Sequence, residues 1–226
     1  ALYNFTGHYK DALDLLENRN FQPWEGGEGQ VLRQYTHACL KLGQSALQNG
    51  EGQRALEYFE KSVSTPDNLG EKYHPLQAVA HINYWKGMAH KALGQGDEAF
   101  FHFTASTNEE GDFIDMAVSD YSELSYYKAL SLNELGKEEK ARGLLTEIKK
   151  FGEAKLNKKA QIDYFATSLP LLLVFEDDIQ KRNTIDAKFL IGLANLGLGE
   201  LKKAKVILKE VLLLNSMHVG AKDLID

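Results

Sequence analysis

The sequence predicts an all-α protein built from repeated helix-turn-helix units. Two observations carry that prediction: one three-residue signature recurs five times, and apolar residues around each copy follow helical spacing. The signature is a glycine, an alanine five residues later, and a leucine or phenylalanine four after that. Its copies are Gly7/Ala12/Leu16, Gly50/Ala55/Phe59, Gly94/Ala99/Phe103, Gly136/Ala141/Leu145 and Gly199/Ala204/Leu208. At average residue frequencies such a triplet is expected roughly 0.2 times in a chain this long. Five copies mean an internally repeated protein, in which stacked units share a continuous core.

Each unit follows from its residues. Seven positions before the triplet glycine lies another small residue: Gly43, Gly87, Ala129 and Gly192. Between the two run apolar positions at three- and four-residue spacing, as in Tyr84 and Met88 with Ala89 and Ala92 alongside, which is helix periodicity. The pattern restarts after the glycine with Ala55, Leu56, Phe59 and Val63; with Ala99, Phe103 and Ala105; and with Ala141, Leu144, Leu145 and Ile148. The glycine ends the first helix, because a left-handed backbone costs little without a β-carbon. Small residues are expected where the two helices cross, and the Phe or Leu one turn later is expected to fill the gap between neighbouring units.

In chain order, the units read as 1–22, 30–66, 76–107, 117–151, an irregular pair at 158–178, 183–215 and a closing helix at 218–226, all within one domain. The triplet glycines lie 43, 44, 42 and 63 residues apart. The surplus is assigned to inter-unit loops at Gln22–Gly29, Thr65–Pro75 and Thr107–Asp115. The longest interval holds the irregular pair, where Ser168 and Pro170 read as a helix start. The first triplet glycine is residue 7, so the small residue seven before it falls outside the sequence, which also lacks an initiator methionine. The expectation is a piece of a longer protein that begins inside a helix.

Composition narrows the function classes. Hydrophobic residues make up 43% of the chain and only four are proline, as a packed interior requires. The net charge of −6 disfavours nucleic acid, whose phosphates need a basic face. The longest uninterrupted apolar run, Leu171–Phe175, is far short of a membrane span. Cys39 is the single cysteine, so no intrachain disulfide forms; a reducing compartment, and hence the cytoplasm, is favoured.

Motifs that carry chemistry are weak. Gly50-Glu-Gly-Gln-Arg-Ala55 and Gly94-Gln-Gly-Asp-Glu-Ala99 both match G-x-G-x-x-A. A dinucleotide site needs a β-strand before that motif, whereas helical segments precede both, so they read as turns. Trp24, Glu25 and Glu28 form an unusual glycine-flanked loop that suggests a sugar site. Glycoside hydrolysis, however, needs carboxylates on opposite sides of the scissile bond. The favoured reading is Trp24 plugging the groove between the first two units. Seven histidines show no metal-binding spacing: His81 and His90 are out of register, and His37 and Cys39 point to different faces. No metal, cofactor or catalytic residue is expected, and the chain is not read as an enzyme.

The arrangement resembles the tetratricopeptide repeat, whose pattern has a Trp, a Leu-Gly pair, a Tyr, then Ala-x₃-Phe and a closing Pro. The third unit matches best, with Trp85, Gly87, Leu93-Gly94, Ala99 and Phe103; closing prolines survive as Pro23 and Pro66. The spacing exceeds the family's period of about 34 residues. The resemblance implies a right-handed superhelical solenoid of roughly ten to twelve helices. Together with Phe21–Gly29, Asn68-Leu-Gly-Glu71 and Asp163-Tyr-Phe-Ala166…Ser168-Leu-Pro170, these long-period repeats also resemble the helical region of a family of large bacterial proteins. There, tetratricopeptide-like repeats follow an uncharacterised β-rich domain, and no function is attached to them.

The resemblance further implies a binding surface, since the first helix of each tetratricopeptide unit lines the concave face. The matching stripe is His37, Leu40, Gln44 and Leu47; His81, Tyr84, Met88 and Lys91; Glu123, Tyr126, Leu130 and Asn133; and Asp186, Phe189, Leu193 and Leu196. Each set shares one helical face. Phe189, Leu193 and Leu196 read as core. An exposed patch at Tyr84, Met88 and Tyr126 is expected if the stripe binds a peptide or partner domain. With only Lys91 and Asn133 against Glu123 and Asp186, a basic clamp for carboxylate tails is not expected. The function expected is a non-catalytic interaction or scaffolding module that binds a separate protein, its own upstream domain, or a second copy as a homodimer. The alternatives are a helical support for a carbohydrate-related enzyme and a spacer without a ligand.

Overall fold

The computed structural model describes residues 1–22, 29–73, 77–108, 112–114, 117–160 and 178–225. They form two compact units, residues 1–109 with 113–115, and residues 110–112 with 116–226. The first contains α1 (Leu2–Phe5), α2 (Tyr9–Glu17), α3 (Gln30–Gln48), α4 (Gly52–Lys61), a 3-10 turn at Asp67–Leu69, α5 (Ala80–Ala92) and α6 (Gly96–Asn108). The second contains α7 (Glu123–Glu134), α8 (Glu138–Leu156), α9 (Ile179–Gly197), α10 (Leu201–Leu214) and α11 (Val219–Asp223). Between α6 and α7 the chain departs from pure helix. β1 (Asp112–Ile114) and β2 (Ala117–Ser119) pair as a two-stranded ribbon, where the sequence reading placed a loop over 107–115 and began the next helical unit at 117. Phe113, Ile114 and Val118 favour extended backbone, and three residues per strand add no layer to an otherwise helical protein.

All five signature glycines adopt the left-handed conformation. Their φ values are 79° at Gly7, 77° at Gly50, 73° at Gly94, 70° at Gly136 and 78° at Gly199. The amide that follows each one reaches back five residues, as when Glu51 donates to the Ala46 carbonyl at 2.9 Å and Lys137 to the Leu132 carbonyl at 2.8 Å. Each glycine amide bonds the carbonyl three back, so every hairpin turns through a Schellman motif that satisfies the carbonyls at the end of its first helix.

The other two signature positions are core. Ala12, Ala55, Ala99, Ala141 and Ala204 are at most 5% exposed, and Leu16, Phe59, Phe103, Leu145 and Leu208 at most 6%. Phe59, Phe103 and Leu208 pack against the small residue of their own hairpin, whereas Leu145 reaches the next hairpin, as expected. A β-carbon on Gly43 would overlap the Phe59 ring, one on Gly87 would sit 2.6 Å from Phe103 Cε1, and one on Gly192 would sit 2.7 Å from Leu208 Cδ2.

Contacts between successive hairpins use glycine in the same way. In the second unit, a β-carbon on Gly152 of α8 would meet Ile191 of α9 at 2.8 Å, and one on Gly197 would meet Leu145 at 2.6 Å. The α7–α8 hairpin is therefore followed directly in space by α9–α10. The irregular pair read at 158–178, with the start at Ser168 and Pro170, falls largely on 161–177, outside the described residues. Asp178 opens α9 by accepting from the Lys181 amide at 2.9 Å. Beyond α10, His218 caps α11 through the Ala221 amide at 3.1 Å and packs on Phe189 with ring centroids 4.5 Å apart.

The linker after α4 is tied down rather than loose. Asn68 donates to the carbonyls of Leu16 at 2.8 Å and Arg19 at 2.6 Å, closing the end of α2. Leu69 is fully buried against α2 and α3. Glu71 accepts from the amides of Gly29 at 2.9 Å and Leu32 at 3.3 Å, placing a carboxylate at the positive end of α3.

Two glycine classes predict two kinds of defect. Gly87→Ala forces a methyl into the Phe103 ring and costs about 1–3 kcal/mol, part of which Phe103→Leu restores in the double variant. Gly94→Ala costs about 1–2 kcal/mol through backbone strain alone. Its effect is additive with Phe103→Leu, and urea unfolding of the three single and two double variants measures both couplings.

Candidate functional site

The first unit carries an open cleft of about 580 Å³ between the first helices of two successive hairpins. Gln44, Leu47 and Gln48 line it from α3, and Trp85, Met88, Lys91 and Ala92 from α5. Spacing of three and four residues brings each set to one side of its helix. Of the stripe read from the sequence, the structure gathers Gln44, Leu47, Met88 and Lys91. Lys91 is exposed, and the other three are half-buried.

Trp85 and Gln48 also line the cleft, although the sequence reading left them out of the stripe. Trp85 was legible only as a repeat signature; its place three residues before Met88 was the available signal. Its indole stacks on Phe59 at 6.1 Å and meets Tyr84 edge-on at 5.1 Å. Among the described residues, the buried indole N–H has no acceptor.

The remaining stripe residues lie elsewhere. His37 is half-buried with its ring 5.8 Å from Tyr9, and Leu40 is core, grouped with Phe59 and Ile82. Tyr84 is half-buried and packs towards Phe103 at 6.1 Å. In the second unit Glu123 is exposed at the start of α7, and Leu130 is half-buried. Tyr126 corrects the expectation of an exposed patch. It is 8% exposed and lies against Gly197, where a β-carbon would stand 3.2 Å from its ring; burial pushes its hydroxyl up to about 12. Phe189 and Leu193 are core and Leu196 half-buried. Trp24, Glu25 and Glu28 lie outside the described residues.

The titratable groups of the first unit are arranged for packing. Burial drives the Cys39 thiol up to about 12, away from the thiolate that nucleophilic chemistry needs. His81 is held down to about 4 by burial. His102 is also held at about 4, first by burial and then by the charges of Lys86 and His90. His102 stacks on His90 at 5.2 Å, while His90 shares a 2.7 Å hydrogen bond with Gln95. Among the described residues no group of three or more His, Cys, Asp or Glu could hold a metal, and no helix is long and apolar enough to cross a membrane. Both dinucleotide look-alikes are inter-helix turns, α3 to α4 and α5 to α6. A second cleft of about 560 Å³, absent from the sequence reading, is lined by Glu17, Tyr35, Glu57, Glu60, Lys61, Ser64 and Pro66; Glu17 and Lys61 pair within it.

No family model matches the chain. Two solved structures of a Podosopora anserina protein assigned as a kinesin light chain, with nearly identical TPR-like repeats, are similar to it. One of the two carries a single glutamine-to-methionine substitution. Each is 16% identical over 95% of this chain and 90% of the other, with TM-scores of 0.37 and 0.35. At that similarity neither structure bears on what this chain binds.

The half-buried His81 and His102 contribute a pH dependence. The folded protein keeps His81 and His102 neutral down to about 4, whereas an unfolded chain protonates them below about 6.5. Their contribution to stability is therefore complete above pH ~6.5 and is lost as the pH falls towards 4. Thermal melts across that window should show the midpoint falling with pH, and the His81→Gln/His102→Gln double variant should flatten the fall. An unchanged slope in the variant would assign the effect to other groups.

Proposed function

We propose that this chain is a non-catalytic interaction module of a larger protein, and that the α3–α5 cleft binds an extended peptide segment. The observation that supports this is the convergence of Gln44, Leu47, Met88 and Lys91, from the first helices of successive hairpins, on one open cleft. Two glutamine amides supply donors and acceptors for a peptide backbone. Leu47, Met88 and Trp85 supply apolar contact, with Met adapting to differently shaped side chains. Lys91, exposed at the cleft, favours a carboxylate on the bound segment.

The cleft walls are unequal in rigidity. Trp85 is held by stacking on Phe59, so it offers a fixed aromatic face with little ordering cost on binding. Gln48 is exposed and loses side-chain freedom when a ligand arrives.

A fluorescent peptide array read by anisotropy tests this reading. Sequences with an acidic residue beside an apolar one should be retained, and Met88→Glu and Lys91→Glu should each weaken them about tenfold. The melting temperature should stay within about 2 °C, because neither position is core. In a Trp24→Phe background the bound peptide should also perturb Trp85 emission. Failure of the array to retain any peptide, or retention unaffected by both substitutions, would remove the cleft as the binding site.

A further inference from the structure

Away from that cleft, two helices carry outward faces of opposite charge. On α10, Lys202, Lys205, Val206, Lys209 and Leu213 recur at helical spacing on the side opposite the buried Ala204, Leu208 and Val211. Val206 is 58% and Leu213 86% exposed. The nearby acids are already engaged, Glu200 with Lys149 and Lys203, and Glu210 with Lys188. Lys202, Lys205 and Lys209 have no ion pair among the described residues.

On α2 the outward face is Asp11, Asp14, Leu15 and Asn18, opposite the buried Ala12, Leu13 and Leu16. Leu15 is 42% exposed, and the adjoining α1 exposes Leu2 at 67% and Tyr3 at 46%. Asp11 and Asp14 have no ion pair among the described residues. Each face thus has an aliphatic centre beside uncompensated charge, and the two signs are complementary.

We propose that these faces dock between molecules: the α2 face of one copy packs on the α10 face of a second copy. Leu15 meets Val206 and Leu213, while Asp11 and Asp14 meet the three lysines. A helix lying on a membrane needs a broad apolar side with aromatic or leucine anchors; the α10 face has two aliphatics among three lysines, which fits a helical partner better. Exposed ion pairs are individually weak and screened by salt, so the association is weak and strengthens as salt is lowered.

Sedimentation velocity on the whole chain, from about 5 to 500 μM, tests this at about 20 mM and 500 mM salt, where the screening length differs several-fold. Mass should rise with concentration at low salt and return to monomer at high salt. Lys205→Glu/Lys209→Glu and Asp11→Lys/Asp14→Lys should each weaken self-association about tenfold, and an equimolar mixture of the two charge-reversed proteins should associate again. Leu213→Asp, at a position that folding does not bury, provides a second route to the same loss. A monomer under all conditions overturns the proposal, as does a charge-reversed mixture that stays apart. Binding of the unmodified chain, but not Lys205→Glu/Lys209→Glu, to phosphatidylserine vesicles without self-association would also overturn it, by giving the face to a membrane.

Discussion

Within each glycine-bearing hairpin a side chain has to be missing before the two helices can meet. At Gly43, Gly87 and Gly192 the first helix has no β-carbon, and Phe59, Phe103 and Leu208 from the second helix occupy the space. This is ridges-into-grooves packing taken to close approach, where one methyl group would displace a ring. Where the small residue is Ala129 rather than glycine, it shares a buried cluster with Leu145, and the close approach of Leu145 is to Gly197 of α9.

A second set of contacts joins each hairpin to its neighbour within a unit, again through close approach. Gly52 would meet Leu93 at 3.0 Å if it carried a β-carbon, and Gly152 would meet Ile191 at 2.8 Å. The segment Asn68-Leu-Gly-Glu71 does related work by polar means. It closes the carbonyl end of α2 and the amide end of α3, with Leu69 buried between them. Helix ends leave unpaired donors and acceptors that something must satisfy. Here one short linker serves two successive helices that precede it by about 40 to 50 residues, so the first two hairpins depend on the linker after α4.

The repeat was legible because its physics is local. A left-handed turn needs glycine, and a crossing needs a small residue at fixed distance from it; both requirements act within twenty residues. The placement of Tyr126 was not legible, because nothing within α7 reveals that α9 offers Gly197 beside it. Helical spacing put Tyr126, Leu40 and Met88 on equivalent faces, and only packing with later helices separates the core residues from the accessible one. Trp85 was visible as a repeat residue yet not as a cleft wall for the same reason. Its orientation depends on stacking with Phe59, 26 residues earlier. The ribbon at 112–119 escaped because three-residue strands leave too short a pattern to distinguish from a turn-rich loop.

The core contact and the cleft are physically linked. Gly43 admits the Phe59 ring, Phe59 stacks with Trp85, and Trp85 forms the wall beside Met88 and Lys91. A substitution at Gly43 therefore acts on the cleft through two aromatic rings without touching any ligand, while Gln48 and Lys91 stand at its exposed rim. Interiors packed this densely do not deform gradually, so displacement of Phe59 would move the indole as a body. Rim residues can be exchanged without disturbing the hairpin, because these are not part of the crossing. The wall cannot be reshaped without also reopening the helix crossing on which the hairpin is built.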